Sequence, residues 1–403
     1  MTQQLALEAQ AACAADEPFA ALVSAAGHAD RGRRSLLARE LRHELSLEAA
    51  GTPAEASAAL RGAAAAAFAR GAAGLLVLVS HEAASLFDRI PTQAPWLGLP
   101  RVQLWSTTRL VEARAGGGWP APQTAPHWAL RSRVDAAWHA AAVESIRSAI
   151  AAGDIYQACL TFPLEAQAPA HLGELFAALV ASHPVDHAAW CRVPGLEIAS
   201  LSPERFFNLR GRIVTARPMK GTRGLVGASE LQRLATMREL ASSAKDRAEN
   251  VMIVDLLRND LGRICTAGSV DVQGLWEVEE YRSVAQMTST VRGELAAGRD
   301  LWDALAALFP PGSMTGAPKI AACRVLETLE VMPRGLYGGA IGWVDASGDA
   351  EFSVVIRTLQ SRAGQLRWDI GGGIVSDSTS AGEWAEAWAK AALLEPFVEL
   401  RHA

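Results

Sequence analysis

Between Leu336 and Val375 three strand-forming runs follow one another: LYGGAIGWVD, EFSVVIRTLQ and QLRWDIGGGIV. Short turns join them, which predicts an antiparallel meander. Upstream, LEIASLSPERFFNL and RIVTARPM read as a hairpin turning at Arg210-Gly211, and IYQACLTFPLEA, PFAALVS and GLLVLVS as further strands. Apolar residues at helical spacing predict helices over Asp135–Ala152, Ser229–Leu240, Ser243–Arg263, Pro318–Glu330 and Ser380–Leu400. Ser243 and Asp246 have capping-box spacing, and Pro318 suits the first helical position. Hairpins with interspersed helices mean an α+β fold, not a doubly wound parallel sheet.

At 403 residues the chain is too long for one small core. The Gly- and Pro-rich stretch Ala115–His127 reads as a linker, dividing an N-terminal lobe (1–127) from a larger domain (128–403). A net charge of −5 gives no electrostatic footprint for nucleic acid. The five cysteines lack any CxxC pair, which argues against a disulfide framework or a structural zinc. The N-terminus lacks the basic and apolar regions of a signal peptide. The most apolar stretch, Gly62–Ser80, is interrupted by Arg70. A cytoplasmic protein is the expectation.

Some charges stand where a reason is needed. Glu383, Glu386 and Lys390 share one face of the last helix, while Trp384, Trp388, Ala391 and Leu394 form the core stripe. Those polar residues either line a site or form a capping box with Ser380 and a surface ion pair. Glu249 shares a face with Ile253 and Leu256, so it either pairs with Lys245 or holds a hard metal ion. Arg357, inside the apolar run VVIRTL, is either an edge residue facing water or a receptor for an anion. Gly371-Gly372-Gly373 interrupts a strand, which is tolerated where another group approaches the backbone closely.

The strings SPERF, RPMKGTR, KDRAENVMIVDLLRNDLGR, PPGSMTGAPK, YGGAIGW, IRTL and GGGIVSDS resemble, in order and spacing, the chorismate-utilising enzymes. The resemblance runs from about Val134 to Glu395. It implies two facing, mostly antiparallel sheets flanked by helices, with the site between them. It also implies that 128–403 is the chorismate-binding catalytic domain. Glu249 and Glu386 match the family's Mg2+ ligands, with Glu383 a secondary candidate. Arg357, Tyr337, Gly373 and Lys390 match contacts to the substrate carboxylates, and Thr222 joins this set. Glu204 matches the general acid that protonates the departing 4-hydroxyl.

Within the family, Gln157 stands where isochorismate and salicylate synthases carry the lysine that activates water, and glutamine cannot act as that base. Lys220, in PMKGT, resembles the lysine with which aminodeoxychorismate synthases attack C2; anthranilate synthases have alanine there. Gln286 replaces their histidine. The resemblance thus implies amination of chorismate at C4 for 4-aminobenzoate and folate synthesis. Anthranilate synthase component I and an inactive chorismate-binding homologue are the alternatives. Arg217 and Arg223 are candidate cationic neighbours of Lys220. Ala387 replaces a threonine common after the second metal glutamate. No G-x-C-x-G nucleophile elbow occurs, so ammonia is expected free or from a separate glutamine amidotransferase. The last motif lies close to the final residue, so an appended lyase is not expected.

Overall fold

The computed structural model describes residues 2–26, 34–88, 90–114, 119–120, 128–225, 227–281 and 284–403. In it, the β run at 196–209 does not stay in one sheet. Leu196–Ser202 pairs with His187–Val193 and Thr358–Arg362 in a first sheet. Arg205–Arg210 pairs with Ile213–Ala216 and Ala350–Val354 in a second. Pro203 has no N–H to give to a ladder, so pairing stops there.

The run EFSVVIRTLQ breaks in the same way, and this corrects the simple meander. Four strands replace three: Ala340–Asp345 and Ala350–Val354 lie in the second sheet, Thr358–Arg362 and Gln365–Ile374 in the first. The two crossovers lie side by side. Val354 N donates to Glu204 O at 3.1 Å, and Leu201 N donates to Arg357 O at 2.9 Å. Arg357 is therefore not inside a strand. It sits in the crossover with φ +49°, a conformation that bulky side chains rarely adopt.

Among the described residues the first sheet has 11 strands and the second 10. Among the described residues every named strand pair is antiparallel except Val398–Arg401 beside Trp128–Ser132. The sheets face each other across an apolar layer in which Ala189, Cys191 and Ile198 of the first meet Leu76, Leu78, Ile341 and Trp343 of the second. The outer face of the first sheet is covered by helices Thr2–Ala14, Gly173–Ser182 and Ser380–Ala391. That of the second is covered by Pro53–Ala69, Ala244–Gly262 and Leu301–Leu308. This is the α+β architecture expected.

Apart from Trp119 and Pro120, the stretch 115–127 read as a linker lies outside the described residues. Strands from either side of it are neighbours in both sheets: Phe19–Val23 pairs with His187–Val193, and Gly74–Val79 with Ala340–Asp345. Helices Ala136–Ala151, Glu230–Ser242, Ala244–Gly262 and Lys319–Leu329 fall where periodicity put them. Ser243 Oγ accepts from Asp246 N at 3.3 Å, whereas Pro318 is the N-cap of its helix rather than its first residue.

The last helix stops at Ala391, and a short 3-10 turn leads to the strand Val398–Arg401. Its cap is Thr379, so the Ser380–Glu383 box is not formed; Glu383 instead accepts from Ser378 Oγ at 2.5 Å. All five cysteines are buried free thiols. Among the described residues no helix is long and apolar enough to cross a membrane.

Candidate active site

The three glycines of Gln365–Ile374 each yield space to a different neighbour. A Cβ on Gly371 would stand 2.1 Å from Leu160 O, in the adjoining strand Gln157–Gln167. One on Gly372 would meet Glu383 Oε2 at 3.1 Å, Lys390 Nζ at 3.7 Å and Glu386 Oε1 at 3.9 Å. One on Gly373 would meet Gln157 Nε2 at 2.5 Å and Lys220 Nζ at 3.5 Å. Bare backbone here lets polar side chains from two strands and a helix converge. Gln157 is fully buried, and neither end of its amide has a hydrogen-bond partner among the described residues. An amide left so is costly unless a ligand completes it.

Lys220 reaches this point because its strand, Met219–Gly224, slips register against Val284–Glu294 between Lys220 and Thr222. The extra residue is Gly221, at φ +76°, where a Cβ would come within 2.7 Å of Asp246 Oδ1. Such a bulge re-aims a side chain. Among the described residues no carboxylate lies within ion-pair distance of the Lys220 ammonium; Glu249 is 3.9 Å from Lys245 and Glu386 3.0 Å from Lys390. Arg217 and Arg223 are engaged elsewhere, with Glu279 and with Asp246 at 2.9 Å, so neither is a free cationic neighbour. Thr222, beyond the bulge, is exposed opposite Gln286, and no hydrogen bond joins its hydroxyl to the cluster among the described residues.

The crossovers bring Glu204 and Arg357 together. Glu204 is buried, and burial raises its carboxyl to about 7; Ser313 Oγ donates to its Oε1 at 2.8 Å, and Lys220 and Arg357 also oppose the rise. Burial pulls the Arg357 guanidinium below its ordinary value, with Glu204 working against this. Tyr337 is buried, which pushes its phenol well up. The loop that carries it is tied by Arg334. Nη1 of that residue donates to Met314 O at 2.6 Å, Nη2 to Cys159 O at 2.9 Å, and the guanidinium grips Glu330 at 2.7 Å. Sequence reading missed Ser313 and Arg334. Ser313 lies inside PPGSMTGAPK and could have been singled out; Arg334 carries no signal of its own.

Glu249 and Glu386 approach from separate helices. Burial raises Glu249; Lys220 and Lys245 oppose this, while Asp246 and Glu386 add to it. Burial also pushes Glu386 up, but Lys390, Lys245 and Lys220 outweigh it and hold that carboxyl below its ordinary value. Lys390 Nζ additionally donates to Gly371 O at 2.7 Å. Among the described residues no group of three or more His, Cys, Asp or Glu forms a metal cage. Two mutually repelling carboxylates with oxygen donors alone fit a hard ion that keeps most of its water, as Mg2+ does. Together these neighbours supply a proton donor near neutrality, an amine with no carboxylate partner among the described residues, an open amide and further cations.

Residues 117–396 match the model of the chorismate binding enzymes, and the chain belongs to that family. It is 44% identical to an aminodeoxychorismate synthase of Streptomyces pristinaespiralis and 38% identical to the aminodeoxychorismate synthase component 1 of Bacillus subtilis. Those alignments take in 62% and 64% of this chain but only 35% and 55% of the relatives' own lengths. Anthranilate synthase component 1 of Streptomyces coelicolor is 41% identical, over 60% of this chain and 48% of its own. The fold is that of anthranilate synthase component I from Streptococcus pneumoniae TIGR4, with a TM-score of 0.74 at 24% identity, covering 89% of this chain and 91% of that one.

Proposed function

We propose that this chain aminates chorismate at C4, giving 4-amino-4-deoxychorismate for 4-aminobenzoate and folate synthesis. A separate glutamine amidotransferase would supply the ammonia. The observation that carries the reading is Lys220, aimed by a bulge at Gly373 and Gln157 with no carboxylate within ion-pair distance among the described residues. The relatives named aminodeoxychorismate synthase support it.

In this reading Arg357, Tyr337, Lys390 and the backbone at Gly373 hold the two substrate carboxylates. Glu249 and Glu386 would hold Mg2+, which supplies positive charge for the ring carboxylate. The Lys220 amine forms a bond to C2, both conjugated ring double bonds shift one place towards C4, and the C4–O bond breaks as Glu204 protonates the leaving hydroxyl, which departs as water. Ammonia then bonds to C4, both double bonds shift back, and the C2–N bond to Lys220 breaks, freeing the amine. Gln157 cannot deprotonate water, so hydration at C2 is disfavoured.

Anthranilate synthesis is the second reading, carried by the 41% identity to a component 1 of that name. One incubation separates them: purified chain, chorismate, Mg2+ and ammonium, products read by chromatography and mass spectrometry. Aminodeoxychorismate is expected; anthranilate with pyruvate would replace the proposal. Chorismate binding without turnover would make the chain a binding protein.

A further inference from the structure

Among the described residues the Glu204 carboxyl is hydrogen-bonded through one of its oxygens. Oε1 accepts from Ser313 Oγ at 2.8 Å, and among the described residues no hydrogen bond occupies Oε2. Ser313 is itself firmly held. It lies in the short 3-10 turn Gly312–Met314, closed by Met314 N donating to Pro311 O at 3.0 Å. The neighbouring Met314 O is gripped by the buried Arg334 at 2.6 Å. A hydroxyl on so fixed a turn is a second-layer support of the kind that locks a reacting group.

We infer that Ser313 is a positioning residue for the acid, holding Oε1 so that the transferable proton sits on Oε2. The inference rests on the reading of Glu204 as the group that protonates the departing hydroxyl. The same hydrogen bond stabilises the carboxylate left after transfer, since a donor to the charged form favours it. Lys220 and Arg357 are the charged groups that face Glu204. Both remain when the hydroxyl is removed, so its contribution can be isolated.

Ser313→Ala, Ser313→Thr and Glu204→Gln, made in the full chain, test this. The rate requires protonated Glu204, so at constant free ammonia it falls as pH rises through that group's pKa. Removing a donor to the carboxylate raises the pKa, so in Ser313→Ala this alkaline fall moves to higher pH, by about one pH unit. Turnover drops by about ten- to hundredfold while KM for chorismate stays close to wild type. The infrared carbonyl band of protonated Glu204, identified by its loss in Glu204→Gln, shifts upward as the hydrogen bond disappears. Ser313→Thr keeps the hydroxyl and restores rate, profile and band. In the Glu204→Gln background, Ser313→Ala costs nothing more. A raised KM at unchanged turnover, an unmoved band, or additive losses would each overturn the proposal. Wild-type activity of Ser313→Ala beside a dead Glu204→Gln would overturn it alone. Full activity of Glu204→Gln would overturn the reading of Glu204 as well.

Discussion

At the level of single side chains, Lys220 is the sharpest test. Lys220→Ala leaves the carboxylate contacts and Glu204 in place, so chorismate should still bind. Aminodeoxychorismate formation should fall by several orders of magnitude, each factor of ten being about 1.4 kcal/mol of barrier. Wild-type protein held with chorismate and no ammonia should gain a mass adduct on Lys220. Amination near the wild-type rate by the variant would mean that the lysine only binds. Glu249→Gln and Glu386→Gln should each raise the Mg2+ needed for half-maximal activity by more than about tenfold; full activity of either in EDTA would remove the metal from the mechanism. Residue identities were readable from the sequence because SPERF, PMKGT and IRTL are distinctive strings. What Glu204 and Arg357 have in common was not readable. VVIRTL is composed of strand formers, and nothing local announces that Arg357 turns to φ +49°. That conformation is imposed by pairing on both sides of it, which is a tertiary effect.

Among the elements, the strand Gln365–Ile374 gives a graded set of expectations from one added methyl group. Gly371→Ala would press on the backbone of Leu160, which cannot withdraw, so stability should drop by about 1–3 kcal/mol or more in denaturant titration. Gly372→Ala meets only the movable ends of side chains, Glu383 nearest at 3.1 Å, so the fold should survive. Gly373→Ala displaces the Gln157 amide and crowds Lys220; it should fold normally yet lose turnover. Equal melting temperatures for all three variants would contradict this assignment of neighbours. The helices were legible because caps and 3.6-residue periodicity are local signals. The last helix was read too long since its apolar stripe continues through Leu394 into a strand. The two long β runs were read as unbroken because period-two patterning does not say which sheet a strand joins.

For the molecule as a whole, the N-terminal strands are not a detachable layer. Both sheets extend through them by hydrogen-bonded pairing, and the apolar layer between the sheets draws residues from both parts of the chain. Calorimetry should show one unfolding transition with matching van't Hoff and calorimetric enthalpies; two resolved peaks would show the N-terminal third melting by itself. The crossovers add a further consequence. Glu204 hangs from one and Arg357 from the other, and each crossover has one end in either sheet. Their spacing is therefore governed by how far apart the two layers rest, and Val355, Trp343, Leu76 and Ile198 act as the shims between them. Thinning that packing far from the chemistry would retune the acid and its guanidinium neighbour together, so the thickness of an apolar layer becomes an adjustable setting of the active site.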